Sequence, residues 1–169
     1  MKFACEWLPD LVDFNDYGDW TRYEDILYSI FYQDFVATQQ LINNKPVNYR
    51  KHPYECDKEQ AFFHLTSVDY HKTQDPSNRI PDLRRCERIR WIKALIHNWN
   101  CPSGIVKIWR EPYKSYERLH FLIEEERYLL VIEERKNYFL LITAYYLDRD
   151  HELKKKLKKY NKYKQKTPL

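Results

Sequence analysis

The sequence predicts an α+β fold, in which N-terminal helices pack on a four-stranded antiparallel sheet that is followed by a basic C-terminal helix. Three observations predict this arrangement. Apolar residues recur at helical spacing in two segments of residues 21–98. Runs rich in Leu, Ile, Val and Tyr then occupy residues 104–147, with turns between them. The lysine-rich segment 148–166 has a high propensity for helix.

A chain of 169 residues is long enough for one domain with one core, so we assign residues 1–169 to a single domain. An irregular arm is expected at 1–20, where turn residues are frequent. A mainly helical part at 21–98, the antiparallel sheet at 104–147 and the basic helix at 148–166 follow it.

The first helix is expected to begin at Thr21, because Thr21 and Glu24 are spaced as in a capping box. Its apolar residues recur every three or four positions and predict one buried face: Tyr23, Ile26, Leu27, Ile30, Phe31 and Phe35. Segment 61–68 (AFFHLTSV) fits either a strand or a short helix, since its periodicity does not separate the two. A further helix is expected from an N-cap at Asp82 to about Asn98.

Four strands are expected next, at 105–110, 119–124, 128–133 and 138–147. The last two form a hairpin with a short turn between them. In the expected register, Leu130 faces Thr143 and Tyr128 faces Tyr145. Because side chains alternate along a strand, Thr143 and Tyr145 are expected to share a face with Leu141.

Charge is distributed unevenly along the chain, although the net charge is only +4. Residues 1–40 carry eight acidic and two basic side chains, whereas residues 151–169 carry eight lysines and one glutamate. A chain with this charge distribution could pair its two ends within one molecule, or it could offer its basic end to a polyanion.

Several classes of protein are not indicated by the sequence. The longest apolar run, at 138–147, is far too short to span a membrane, and the chain does not open with a signal peptide. The four cysteines form no C-x-x-C pair, and the histidines lack the spacing of metal ligands. We therefore expect a cytoplasmic protein with reduced thiols, no metal, no cofactor and no membrane partner.

Several segments resemble one family. They are WLPDLVDFNDYGDWTRYEDILYSIF at 7–31, KEQAFFHLTS at 58–67, LRRCERIRWIKALIHN at 83–98 and RYLLVIEERKNYFLLITAYYLDRDHELKKK at 127–156. They are similar to segments of phage- and prophage-encoded proteins grouped with the metal-independent ribonucleases of the barnase, EndoU, colicin and RelE superfold. The most specific pieces are ERIRW at 87–91 and TAYY at 143–146.

The resemblance implies a helical N-terminal part on a curved sheet, with an active site on the sheet face. It also implies RNA, with tRNA among the candidates, as substrate, a cognate inhibitor protein as partner, and a toxin-like or phage-related role. Cleaving RNA without a metal needs a base for the 2′-hydroxyl, cationic or hydroxyl donors for the phosphate, and an acid for the leaving oxygen. The candidate catalytic residues are His64, Arg88, Thr143, Tyr145 and His151.

His64 matches the histidine of the family's F-x-H-L-like piece and is the first candidate for base or acid; the alternative is a buried neutral histidine. Arg88 offers a bidentate fork for phosphate, unless it is a solvated or ion-paired arginine. Thr143 and Tyr145 would supply hydroxyls at the rim of a cleft, or merely end the core. His151 would be the second acid–base group, or a surface residue where the last helix starts.

Seven cations are candidates for binding nucleic acid: Arg118, Arg127, Lys154, Lys155, Lys156, Lys158 and Lys159. The alternative for the lysines is a solvated helix face. The sequence thus favours a metal-independent endoribonuclease that cleaves by 2′-hydroxyl attack. Two alternatives stay open: a catalytically inactive module that binds nucleic acid, and a phage-related interaction protein. The oligomeric state does not follow from the sequence.

Overall fold

A six-stranded sheet with helices on both faces forms the centre of this α+β protein. The structure is a computed structural model and describes residues 2–73, 75–164 and 169. Its helices are α1 (Trp20–Phe31), α2 (Gln60–Thr66), α3 (Leu83–Glu87), α4 (Ile89–Asn98) and α5 (Asp150–Tyr163). Its strands are β1 (Gln40–Ile42), β2 (Lys45–Asn48), β3 (Ser67–Val68), β4 (Ile80–Pro81), β5 (Val106–Tyr113), β6 (Tyr116–Ile123), β7 (Tyr128–Glu134) and β8 (Phe139–Tyr146).

The expectation of a four-stranded antiparallel sheet is wrong, because the main sheet has six strands in the order β1-β2-β8-β7-β6-β5 and is mixed. Strands β5 to β8 form an antiparallel meander. The β1–β2 hairpin joins it through a parallel pairing that sets Val47 beside Phe139. Asn43 and Asn44 form the turn of this hairpin with φ angles of 48° and 62°, a left-handed conformation that asparagine tolerates well.

The helical segments depart from expectation at their ends. Helix α1 begins at Trp20, and its N-cap is Asp19, whose carboxylate accepts a hydrogen bond from the backbone N–H of Arg22, so Thr21 is not the cap. The Asp82 cap is confirmed, but the helix after it is broken in two at Arg88. Segment 61–68 forms both elements, the short helix α2 followed by β3. Segment 21–98, expected to be mainly helical, also holds strands β1 to β4.

The larger core lies between the N-terminal helices and one face of the sheet. Trp91 is fully buried there, packs edge-on against Tyr128 and donates a hydrogen bond from Nε1 to the carbonyl oxygen of Pro9. The hydroxyl of Tyr23, also buried, donates to the carbonyl oxygen of Val12. These two bonds fasten the N-terminal arm to the core, because they satisfy backbone groups that packing removes from water.

A second, smaller core lies on the opposite face of the sheet, where α5 packs; we call this side the α5 face. Leu153, Leu157 and Tyr160 of α5 cover buried residues of the sheet, among them Trp109, Leu122, Leu129 and Leu147. Burying a leucine-sized side chain contributes roughly 1.5–3 kcal/mol, so this apolar stripe is enough to dock a helix that is otherwise charged. Residues 165 and 166 of the expected basic helix lie outside the described residues. No helix within the described residues is both long and apolar enough to cross a membrane.

Strand β8 contains an irregularity that changes which side chains share a face. The expected register is wrong: Thr143 lies opposite Val131 and Tyr145 lies opposite Leu129, because the pairing shifts by one residue at Ile142. One extra residue reverses the alternation of a strand. Residues Phe139, Leu141 and Ala144 therefore face the larger core, while Tyr145 packs on the α5 face and Thr143, two residues before it, points to the same side.

Substitutions at Asp19, the observed N-cap of α1, and at Thr21, the cap expected from the sequence, should show which residue stabilises the helix. We expect Asp19→Ala to lower the free energy of unfolding by about 1 kcal/mol, because the N–H of Arg22 loses its acceptor. Thr21→Ala is the matched control, and its exposed site predicts a change within about 0.5 kcal/mol. Urea unfolding of both variants measures the difference, and equal losses would contradict the Asp19 cap.

Candidate functional site

His64 lies on α2, beside the part of β8 that does not pair with β2. Strand β2 pairs with β8 only at Phe139 and Leu140, and helices α2 and α3 pack along β8 beyond that point. The sheet edge is therefore covered by two short helices instead of a strand. Side chains from these helices can reach the end of β8 that carries Thr143 and Tyr145.

A cavity of about 410 Å³ opens at His64. Its lining consists of Arg50, Pro53, Glu55, Gln60, Phe63, His64, Asp69, Asp75 and Arg79. Two of its acidic groups hold the adjoining loop: Asp69 accepts hydrogen bonds from His71 and Thr73, and Asp75 accepts two from Ser77. The lining thus carries three acidic side chains, Glu55, Asp69 and Asp75, and two arginines, and the charges that act on the imidazole are those of the arginines.

The environment of His64 keeps its imidazole neutral. Burial, together with the positive charges of Arg79, Arg50 and Arg85, lowers the pKa of His64 to about 4. At neutral pH the ring consequently has one nitrogen free to accept a proton. A negatively charged ligand among the three arginines would favour the protonated ring, since opposite charge raises a histidine pKa.

Arg85 links His64 to the strand residues. Its Nη1 donates to the carbonyl oxygen of His64 at 2.8 Å and to Oγ1 of Thr143 at 3.4 Å. Its guanidinium also lies 5.2 Å from the ring centroid of Tyr145. The carboxylate of Asp82, 3.7 Å from Nε, is its ion-pair partner. Arg85, which the sequence did not single out, therefore contacts three predicted site residues: the backbone of His64 and the side chains of Thr143 and Tyr145. Thr143 and Tyr145 themselves do not line the cavity at His64.

A second cavity, of about 170 Å³, connects this cluster to Arg118. Its lining is Arg50, Ala61, His64, Arg118, Leu141 and Ile142. Arg118 donates from Nε to Glu133 at 3.0 Å, and its guanidinium lies over the ring of Tyr113. The predicted nucleic-acid-binding residue Arg118 thus borders the same space as His64.

Arg88 does not join the cluster. It is buried where α3 meets α4, and its side chain donates to the carbonyl oxygen of Arg84 and pairs with Glu87. Its guanidinium packs between the rings of Trp91 and Tyr146. In a continuous helix the side chain of Arg88 would lie on the polar face. The break at Arg88 directs the side chain into the interior instead, so its contacts are those of a packing residue.

Arg127 and His151 also lie apart from the cluster. Arg127 donates to the carbonyl oxygens of Leu147 and Asp148 and pairs with Asp150, so it connects β7 to the start of α5. His151 is exposed in the first turn of α5. Neither position brings the side chain to the His64 cavity, whose lining does not include them.

The α5 lysines lie on the other side of Tyr145. Lys154, Lys155, Lys158 and Lys159 are exposed, and Lys156 is half-buried. A third cavity, of about 280 Å³, is lined by Tyr145, Leu147, Glu152, Lys155, Lys156 and Lys159. Burial lowers the pKa of Lys156. Tyr145 thus separates a lysine-lined cavity from the arginine cluster.

Sequence reasoning passed over a buried acid–base pair between the sheet and α5. His120 is only 7% exposed, its ring stacks on Trp109 with centroids 4.9 Å apart, and its Nε2 lies 3.3 Å from Glu111 Oε2. Glu111 also accepts hydrogen bonds from Trp109 and Lys159. Burial lowers the pKa of His120 to about 4, against the opposing pull of Glu111. No short motif marks these residues, because they meet only through the pairing of β5 with β6.

We found no match for this chain among models of protein families, curated proteins or solved structures. Among the described residues, no group of three or more His, Cys, Asp and Glu side chains is placed to hold a metal ion. The likeness to the ribonuclease superfold therefore stays a prediction.

The charge around His64 should control its ionisation. We expect Arg79→Gln to raise the pKa of His64 from about 4 toward the ordinary histidine value, because the largest Coulombic repulsion of the imidazolium is removed while burial still lowers the pKa. Titration followed by NMR of the imidazole nitrogens measures it. Arg22→Gln, on the exposed side of α1, is the control and should leave the titration unchanged. An unchanged His64 titration in Arg79→Gln would refute this account.

Acid should destabilise the protein partly through His120. The pKa of His120 is about 4 in the folded chain against 6.5 as the ordinary value, so the unfolded chain binds more protons between these limits and stability falls as pH drops through them. Between pH 7 and pH 5 the wild type should lose about 2 kcal/mol more than His120→Gln. Urea unfolding at both pH values tests this, with His71→Gln in an exposed loop as the control. Equal losses in wild type and His120→Gln would contradict it.

Proposed function

We propose that the protein is a metal-independent endoribonuclease whose active site is the cluster around Arg85. The observation that supports it is a neutral His64 in a cavity between Arg50 and Arg79, joined through Arg85 to the hydroxyl of Thr143. A proton acceptor, guanidinium groups and hydroxyls within one cluster are the groups that RNA cleavage by an internal 2′-hydroxyl requires.

His64 is the general base in this proposal. Its neutral imidazole takes the proton of the 2′-hydroxyl, the 2′-oxygen forms a bond to the adjacent phosphorus, and the bond to the 5′-oxygen breaks. The products are a 2′,3′-cyclic phosphate and a free 5′-hydroxyl. The phosphate raises the pKa of His64 on binding, which makes the ring a stronger base at the moment it is needed.

The arginines stabilise the charge that develops on the phosphate. Arg50 and Arg79 border the cavity beside the imidazole, and guanidinium groups bind phosphate oxygens through paired hydrogen bonds. Arg85 is already bonded to the backbone of α2 and to Thr143, so it positions these groups as well as adding charge.

Tyr145 is the proposed acid for the leaving 5′-oxygen. Burial raises the pKa of its hydroxyl, against the opposing charge of Arg85, so the group keeps its proton at neutral pH. Its position between the arginine cluster and the lysine-lined cavity also suits a strand that continues toward α5. Lysines of α5 then bind flanking phosphates in a salt-dependent way.

The wider parts of the proposal rest on the family resemblance. These are tRNA as a substrate, a toxin or phage-related role in the cytoplasm, and a cognate inhibitor protein as a partner. A second candidate, a module that binds nucleic acid without cleaving it, is favoured by one observation: Nη1 of Arg85 already donates to the carbonyl oxygen of His64 and to Oγ1 of Thr143.

Cleavage of RNA in the presence of EDTA tests the proposed function. We expect the wild type to cleave total cellular RNA and His64→Ala to be slower by a factor on the order of 100 or more, because the base is lost. His71→Ala, in an exposed loop, is the matched control and should cleave like the wild type. Analysis of the product ends should show 2′,3′-cyclic phosphates. Equal cleavage by wild type and His64→Ala, or none by the wild type, would refute the enzyme.

A further inference from the structure

Two exposed tyrosines lie together at the tip of the β5–β6 hairpin. Tyr113 and Tyr116 are directly opposite each other across the two strands and flank a two-residue turn. Trp109, four residues before Tyr113 on β5, packs on the α5 face, so alternation places Tyr113 and its partner on that same face. They are 39% and 42% exposed, whereas α5 covers the opposite end of the face.

An arginine lies over each of these rings. The guanidinium carbon of Arg118 is 3.4 Å from the ring centroid of Tyr113, and that of Arg135 is 3.7 Å from the centroid of Tyr116. Contacts this close are typical of a guanidinium plane packed against an aromatic ring. The hairpin tip therefore presents two aromatic rings, each with a planar guanidinium cation packed against it.

A single buried carboxylate fixes both arginines. Glu133 is 2% exposed and accepts hydrogen bonds from Nε of Arg118 at 3.0 Å and from Nε of Arg135 at 2.8 Å. The single negative charge of Glu133 thus orients the two positive charges of Arg118 and Arg135. These three side chains together keep one positive charge in excess. Because Glu133 fixes both arginines, the arginines in turn hold the two tyrosine rings in a defined arrangement. No helix or strand is needed on top of the rings to position them.

This surface is continuous with the proposed active site. Arg118, which packs on Tyr113, also lines the 170 Å³ cavity together with His64 and Arg50. A chain whose phosphate lies beside His64 can therefore pass Arg118 and reach the tyrosines. The α5 lysines, in contrast, lie on the other side of Tyr145.

We propose that Tyr113 and Tyr116, with Arg118 and Arg135, form a platform on which bases of single-stranded RNA stack next to the cleavage site. The inference rests on the proposed function and adds its substrate class. Stacking on aromatic rings and guanidinium planes needs unpaired bases, because the bases of a duplex are stacked on each other. Such stacking tolerates any base, so the platform distinguishes single-stranded from double-stranded RNA but does not discriminate between base sequences.

Binding of an uncleavable single strand tests the platform. The probe is a fluorescent 12-residue 2′-O-methyl oligouridylate, and inorganic polyphosphate of similar length is the competitor without bases. We expect Tyr113→Ala/Tyr116→Ala to weaken RNA binding by about fivefold or more for each tyrosine. Tyr113→Phe/Tyr116→Phe keeps the rings and should bind within about twofold of the wild type. Polyphosphate should bind all three proteins equally, and circular dichroism confirms that the variants fold.

Each result decides between the platform and the enzyme. Unchanged RNA binding by the alanine variant overturns the platform, as does an equal loss for polyphosphate, which would make the hairpin a site for charge alone. A wild type that binds no RNA also overturns it. If the alanine variant loses RNA binding while the wild type cleaves nothing, the platform stands and the ribonuclease falls. If the wild type cleaves RNA and the alanine variant binds and cleaves equally well, only the platform is lost.

Discussion

The extra residue at Ile142 is the constraint on which the candidate site depends. Because it reverses the alternation of β8, small Ala144 fits under the N-terminal helices and the hydroxyl side chains around it turn to the α5 face. A regular strand would direct Thr143 and Tyr145 into the larger core, away from the α5 face. The irregularity thus allows one strand to complete a core and a polar cluster at the same time, within a few residues.

The polar cluster is electrostatically incomplete as it stands. Burial and the charges of Arg50, Arg79 and Arg85 lower the pKa of His64, and Asp69 and Asp75 of the nearest loop accept hydrogen bonds from that loop. Packing like charges close together costs free energy, most of all where burial limits screening by water. Negative charge placed beside the three arginines relieves that cost.

The sequence predicts local features well and long-range ones poorly. The Asp82 cap, the buried face of α1 and the strands of the meander follow from capping chemistry and periodicity. The parallel pairing of β2 with β8 does not, because strands of three or four residues carry little periodic signal and their partner lies about ninety residues away. At the site, His64 is predicted from the family resemblance, whereas the sequence points to Arg88 and the structure places Arg85, on the other side of the helix break, beside His64 and Thr143. Glu111 and His120 meet through strand pairing, which leaves no mark on spacing.

The order of strands in the sheet has a consequence for synthesis of the chain. Strand β8 is made last but lies in the middle of the sheet, between β2 and β7. Until it leaves the ribosome, the β1–β2 hairpin has no neighbour and β7 has an unpaired edge, which is prone to pair with other chains. Thr143 and Tyr145 are on that same strand, so a nascent chain cannot assemble the Arg85 cluster before its sheet closes. The Arg85 cluster is therefore among the last parts of the molecule to form during translation.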